Sequence, residues 1–542
     1  MNKLFAQILE KRQLSNDFLH PKYENLSDPY LLNGMKEAIE RLESAVKNQE
    51  KILVYGDYDV DGVTASTLME DALLLAGVEP NHLEIMLPDR FVDGYGMSPR
   101  LVEKAKKDEV SLIITVDCGS RNHEIIDELG RSEIDIIVTD HHECADTLPN
   151  AVAVLNPKRK DFTGPENLKD LAGVGVAFLF ARALVKAGLI KDGQEKWLLD
   201  LVLLGTICDQ MVLTGENRIL GFYGMKVLAK TRRPGLRELM KSAGVKSITS
   251  ESIGFQIGPR LNAAGRLETA ELALNLLRTK SASEAAALAA KLEELNKARR
   301  SEQRAAIDEI IQKGPQESSV IIETGNWHEG ILGIVAGRLV ESFHKPAFVL
   351  AEVENNILKG SARSFGDFNL AEALKFAESV IISGGGHAAA AGVRLHKDNL
   401  ESFIAQVNTY YDSLKLKDQE KYFSVATDLI TDTLQDFTLD FLADLKLLEP
   451  FGAGNEEPLF CLKNAYILEA RRMGDKGQHL RLDLRGKDGK ILKCVAFFAP
   501  ENWFNLSADE SYNFFIKPVE NEWNGVRSVE ARLIDVVEAP HH

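Results

Sequence analysis

Short apolar runs of strand length, each followed by an apolar helical stretch, dominate the first 215 residues. Ile52–Tyr55 is one such run, with an apolar helix expected over 63–75, and the pattern returns at Leu112–Val116 and at 134–139. Strands alternating with helices predict an α/β fold over 46–215, a doubly wound parallel sheet. Residues 1–45 read as a polar helical leader, with Leu26-Ser27-Asp28-Pro29 as a turn before a helix around 35–47. A connector over 216–315 ends in a long helix. Residues 281–284 read as its capping box, and the charged, Ala-rich stretch 285–312 would run on the order of 40 Å. A smaller α/β lobe over 316–415 opens on a strand at 319–323. From 420 to 542 the period shortens to two, as in His479-Leu480-Arg481-Leu482-Asp483-Leu484-Arg485, which predicts a small β-barrel.

The chemistry collects where these strands end. Gly56-Asp57-Tyr58-Asp59-Val60-Asp61-Gly62 follows the first, Asp117-Cys118-Gly119 the second and Asp140-His141-His142 the third, while Asp209 follows the apolar segment 197–208. Alternate residues of an extended segment point the same way, so at least two of Asp57, Asp59 and Asp61 can converge on a hard cation. A solvated acidic turn is the other reading of that stretch alone. In an open parallel sheet the carboxyl ends of the strands line one crevice, so the whole set could meet there.

Anion-suited residues recur further along. Arg90 lies in the loop of Leu87-Pro88-Asp89-Arg90 and Gly94-Tyr95-Gly96, where a surface arginine and an anion contact are both open. In the run 254–266, small residues flank Arg260, Asn262 and Arg266, so a backbone phosphate could approach; an ordinary loop is the alternative. Gly173 and Gly175 are read as allowing close helix packing. In the second lobe, Gly360-Ser361-Ala362-Arg363-Ser364 and Ser383-Gly384-Gly385-Gly386-His387 are further phosphate-suited loops, the glycines exposing backbone N–H groups at the mouth of a small-residue segment. Arg471, Arg472, Lys476, Arg481, Lys493, Trp503 and Trp523 give the barrel cations and rings on which bases could stack.

The 542 residues suggest three or four domains, and 64 Lys and Arg against 81 Asp and Glu give a formal net charge of -17. That balance argues against broad nucleic-acid affinity and leaves room for a local basic groove. The five cysteines are scattered without a CxxC pair, so neither a zinc cluster nor a disulfide framework is indicated. With no signal-peptide core at the N-terminus and no long uncharged apolar run, the chain reads as cytoplasmic and without a membrane partner.

Taken in order, the acidic series, Asp140-His141-His142, Arg260-Leu261-Asn262-Ala263-Ala264-Gly265-Arg266 and Gly384-Gly385-Gly386-His387 resemble the motif series of the DHH phosphoesterases. With the extra barrel, the order is most similar to the single-strand-specific exonucleases of that superfamily. The resemblance implies a DHH catalytic domain, a DHH-associated second lobe and an OB-fold. It implies removal of mononucleotides from the 5′ end of single-stranded DNA with Mn²⁺ or Mg²⁺, in DNA repair and recombination. A helicase and a single-strand-binding protein are candidate partners. One departure is Tyr55, which stands where related pyrophosphatases have a histidine ligand; Asp57 is the candidate replacement.

On this footing two cations about 4 Å apart, bridged by Asp117, would activate a shared water. Asp57 and Asp59 are expected on one, Asp61, His141 and Asp209 on the other, with His142 near the phosphate or leaving oxygen. The resemblance makes Arg90, Ser361 and Arg363 candidates for the 5′ phosphate, and Arg260, Asn262, Arg266 and His387 for the strand. Two alternatives stand beside this: a hydrolase of short oligonucleotides or cyclic dinucleotides, which leaves the barrel unexplained, and a non-catalytic strand-binding scaffold.

Overall fold

The structure, a computed structural model, describes residues 2–94, 96–313, 318–416 and 427–539. Tyr95, and the expected starts of the second lobe at 316 and of the barrel at 420, lie outside the described residues.

Five strands, β1 (Ile52–Tyr55), β2 (Leu83–Met86), β3 (Leu112–Val116), β4 (Asp135–Thr139) and β5 (Ala153–Leu155), form a sheet of order β2-β1-β3-β4-β5. All its pairings are parallel. The strands are largely apolar because both faces are covered. Ile52, Val54, Leu112, Ile114 and Ile137 pack under the helices Val60–Leu75, Gly173–Lys186 and Leu199–Cys208. The alternate residues Leu53, Tyr55, Ile113, Ile136 and Val138 pack on the other face under Pro99–Lys107 and His123–Arg131. This is the expected doubly wound parallel sheet.

Helix Ala282–Gln312 leads to the second lobe. The serine cap forms, Ser281 accepting from the Glu284 amide at 3.3 Å, but Glu284 turns its carboxylate to the Thr279 hydroxyl at 2.5 Å. The lobe's sheet joins β6 (Ile321–Gly325), β7 (Ala347–Val353), β8 (Ile357–Arg363), β10 (Ala390–His396) and β9 (Ser383–Gly386) in that order. Only β6 and β7 pair in parallel.

The last domain closes. Strand β12 (Phe460–Met473) pairs with both β13 (His479–Arg485) and β15 (Ser511–Trp523), and β14 (Ile491–Ala496) and β16 (Val526–Glu538) complete the ring, with β11 (Leu429–Thr431) added beside β12. The leader completes this barrel's core. Leu4, Phe5, Ile8 and Leu19 pack with Phe437, Phe441 and Phe460, while Leu32, Met35, Ile39 and Leu42 pack on the catalytic domain. Arg218, 2% exposed, pins this junction by donating to the carbonyls of Phe18, Leu447, Leu448 and Glu449 at 2.6–2.9 Å.

Candidate metal centre and strand crevice

Strand β1 hands over to a helix within a few residues, and that handover sets the acids. Asp59 caps Val60–Leu75, its Oδ1 accepting from the Gly62 amide at 3.1 Å. The extended segment therefore ends at Asp59, and Asp61 sits in the first helical turn, so of the three acids Asp57 and Asp59 are the two that converge. The Asp61 carboxylate is held elsewhere: Oδ2 accepts from the Gly173 amide at 2.6 Å and Oδ1 from the Val174 amide at 2.9 Å. These donors open the helix Gly173–Lys186, where a negative charge is stabilised by unpaired amides.

Asp117 follows β3 with φ 60°, a backbone setting that a non-glycine residue rarely adopts and that turns it off the strand. Three groups of ligand atoms then lie within 4.8 Å of one another: Asp57, Asp59 and Asp117; Asp61, His141 and Asp209; and Asp117, His141 and His142. His141 Nε2 is 3.1 Å from Asp117 Oδ1, 3.7 Å from Asp209 Oδ2 and 3.8 Å from Asp61 Oδ2. Tyr55 faces the opposite side of the sheet, fully buried, with its hydroxyl donating to the Gly96 carbonyl at 2.9 Å.

The electrostatics are those of a site built for cations. Burial and then the Asp59 charge push Asp57 up to about 8, and the same two causes push Asp209 up to about 7. Burial, followed by neighbouring carboxylates, raises Asp61 and Asp117 well above the usual range. Burial and then the His142 charge push His141 down to about 3, leaving it a neutral imidazole able to coordinate. Asp57 Oδ1 and Asp117 Oδ1 are buried and accept no hydrogen bond. Crowded carboxylates with unused oxygens around a neutral histidine fit divalent cations.

Asp140, quoted in the sequence motif but given no role there, is the hub beneath. Its Oδ1 accepts from the amides of His141 and His142 and stands 2.9 Å from His142 Nδ1, and its Oδ2 accepts from the Ser120 amide. Burial opposes its charge, yet the His142 hydrogen bond holds it well below the ordinary carboxylate range. His142 is opposed by burial too, and the Asp140 bond raises it above the usual histidine value.

Asp57, Asp59, Asp117, His141, His142 and Asp209 line a crevice of about 290 Å³ together with Arg90, Asn262 and Arg266. Tyr58 and Arg90 also line a neighbouring cavity of about 550 Å³ with Ser361, Arg363 and the edge glycines Gly385 and Gly386. Arg90 lies over the Tyr58 ring at 5.0 Å.

Two expected strand contacts are not brought there. Arg260 is buried, its Nε 2.6 Å from Glu293 and its Nη1 on the Gln256 carbonyl. The reason is that 254–266 is not a loop: Ile253–Ile257 forms a π-helical turn running into the helix Gly258–Leu267, which turns Arg260 away from Asn262 and Arg266. His387 is exposed in the hairpin between β9 and β10, where its amide donates to the Ala390 carbonyl, and it lines neither cavity. The glycines before it form an edge strand, and the small-residue segment they open leads into a second strand, β10. Gly173 goes beyond helix packing, since a Cβ there would lie 2.6 Å from the Asp117 Cβ. The sequence reading missed Arg299 on Ala282–Gln312. Burial and then the charges of Arg90, Arg299 and Arg363 push Arg266 down to about 9, so four arginines converge on one region.

Comparison with known proteins gives the same three parts. Residues 51–206 match the DHH family N-terminal domain, 317–413 the DHHA1 domain and 430–535 the RecJ OB domain. The single-stranded-DNA-specific exonuclease RecJ of Bacillus subtilis is 36% identical over 547 residues, covering 98% of this chain and 67% of that protein. The enzyme of the same name from Escherichia coli is 31% identical, covering 92% of this chain and 89% of its own. The crystal structure of RecJ in complex with Mn²⁺ from Thermus thermophilus superposes with a TM-score of 0.84 at 30% identity, covering 100% of this chain and 76% of that one. A Mg²⁺ complex of the same protein superposes at 0.79, with 28% identity, 100% of this chain and 75% of that one covered.

Proposed function

Because the chain belongs to the RecJ family of single-stranded-DNA-specific exonucleases, we propose that it removes mononucleotides from the 5′ end of unpaired DNA using Mn²⁺ or Mg²⁺. The observation that carries this reading is the pair of ligand sets sharing one crevice with Arg90, beside a cationic pocket that Arg90 and Tyr58 also line. The first is the place for the scissile bond and the second for a terminal phosphate.

Bound there, two divalent ions would supply an activated water and neutralise charge on the attacked phosphate. Asp57 and Asp59 would hold one and Asp61, His141 and Asp209 the other, with Asp117, which shares ligand groups with Asp57 and Asp59 and with His141, as the candidate common ligand. Asp140 fixes the His142 ring, which meets the phosphate or the leaving oxygen. Asn262 and Arg266 hold the strand at the crevice, and Arg90, Ser361 and Arg363 grip the 5′ phosphate by charge-assisted hydrogen bonds. The barrel supports a long strand rather than a dinucleotide as substrate.

The five free cysteines suit a reducing compartment, and no helix among the described residues is long and apolar enough to cross a membrane. We propose a cytoplasmic role in repair and recombination, with a helicase and a strand-coating protein as candidate partners. Digestion of end-labelled single strands with Mn²⁺ tests the reading. A 5′ label should appear as mononucleotide from the first turnovers, while a 3′ label yields a shortening ladder. The reverse pattern contradicts the polarity, and no release at all removes the enzymatic reading.

A further inference from the structure

Along the helical segment that supplies Asn262 and Arg266, Phe255 is exposed and Pro259, Asn262 and Arg266 are half-buried, spaced by four, three and four residues. Ile257, Leu261 and Ala264 between them face the core. That spacing is one continuous helical face. Its C-terminal half lies in the metal crevice. Its N-terminal end reaches the barrel: Glu251 pairs with Arg532 of β16 at 3.0 Å, and Ser252 and Gln256 line a cavity with Pro518 and Arg532. The face therefore runs from the reaction centre to the barrel, about 16 Å from Arg266 to Phe255 at the rise of a helix.

Phe255 is 77% exposed on this face. It projects from the π-helical turn Ile253–Ile257, an irregularity that recurs at functional sites. Arg299, on the packed helix Ala282–Gln312, adds a second, independent feature. Its Nε is buried without a hydrogen-bond partner, and its remaining contacts are to the neutral Asn296 and Gln303 side chains at 3.0 and 3.5 Å. A buried N–H of a cation without an acceptor calls for an anion. The Arg266 and Arg260 charges stand nearby, since Arg299 acts on the first and feels the second after that of Arg300.

We propose that Phe255 and Arg299 form a second strand subsite between the crevice and the barrel, Phe255 stacking a base a few nucleotides beyond the scissile bond and Arg299 taking a backbone phosphate. Stacking on a ring tolerates any base, as a sequence-indifferent exonuclease requires. The subsite rests on the single-strand reading above and assigns residues to the path between its two ends.

The test compares KM and kcat on a 5′-phosphorylated dinucleotide and on a long unpaired oligonucleotide, with thermal melting as the folding control. Phe255→Ala should raise KM on the long strand about five- to a hundredfold, by the worth of one stacked base. The dinucleotide, too short to reach Phe255, shows no such rise, and Phe255→Tyr restores the long-strand KM. Arg299→Gln should lower the salt slope of long-strand binding by about 0.7, one phosphate contact of a single strand. An unchanged long-strand KM in Phe255→Ala, or an equal loss on the dinucleotide, overturns the subsite while wild-type digestion still supports the exonuclease. If the wild type digests no single strand, the functional reading fails first and the subsite with it.

Discussion

A Cβ added to Gly173 would lie 2.6 Å from the Cβ of Asp117 and 2.7 Å from its Oδ1. The opening turn of Gly173–Lys186 is thus pressed against the residue common to two of the ligand groups, while its amides hold Asp61 in another. One helix N-terminus spaces both parts of the centre.

Gly173→Ala should therefore damage chemistry more than folding. Overpacking of this kind costs about 1–3 kcal/mol, whereas moving a reacting group by about 1 Å can cost a hundredfold in rate. Initial rates across a manganese titration, read beside thermal melting, separate the two. Asp117→Ala should abolish hydrolysis with the fold intact; near-normal turnover in that variant would refute its shared role.

Arg218 makes a different kind of prediction, about how the barrel is held. Its guanidinium donates to four backbone carbonyls at the junction of leader, catalytic domain and barrel, with no carboxylate among these acceptors. Arg218→Met leaves those carbonyls without their donor, at about 1–3 kcal/mol for each buried group left unsatisfied. Digestion of long strands should slow, cleavage of a dinucleotide should persist, and protease should reach the 447–450 segment sooner. Equal losses on both substrates would show that the junction does not position the barrel.

Strands β1, β3 and β4 of the first sheet were legible because both their faces are buried, so Leu112–Val116 reads as apolar without alternation. The acids were legible because a strand's end is a fixed place in such a sheet. Packing between distant segments was not. Glu293, which takes Arg260 out of the crevice, lies 33 positions away. Gly258 and Pro259 looked like loop residues, yet proline at a helix's first turn loses no hydrogen bond. The leader's apolar positions gave no sign that Leu4, Phe5 and Ile8 complete a barrel more than 400 residues on. Arg299 was hidden in a helix of alternating charge, where only tertiary structure shows which cation lacks an acceptor.

Glu449 predicts a pH dependence away from the reaction centre. Burial, aided by Glu457 and opposed by Lys446, pushes it up to about 7 from 4.5. An acid raised in the folded state binds its proton more tightly there, so stability is greatest below the unfolded value and is lost as pH rises through about 7. At pH 8 the buried charge costs up to about 3 kcal/mol. Glu449→Gln should melt higher than wild type at pH 8 and together with it at pH 5. Parallel melting curves across that range would contradict the assignment.

Arg363 should decide which strand ends are accepted. It lines the pocket beside the crevice with Ser361 and Arg90, and its hydrogen bonds go to neutral groups, the Ser361 hydroxyl at 3.4 Å and the Ala362 carbonyl at 2.8 Å. Burial and then the Arg90 charge lower its pKa, so an incoming anion relieves two crowded cations at once. A terminal phosphate carries that charge and a terminal hydroxyl does not. Hydrogen bonds to charged groups are worth about 1.5–3 kcal/mol, so Arg363→Ala should cut the preference for a 5′-phosphorylated strand about 10- to 100-fold. The measurement is kcat/KM on matched strands ending in phosphate or hydroxyl. The wild type should favour the phosphate, and the variant should lose that preference mainly through the phosphorylated substrate. Equal rates on both ends in both proteins would remove this pocket from end recognition and leave the metal centre's assignment standing.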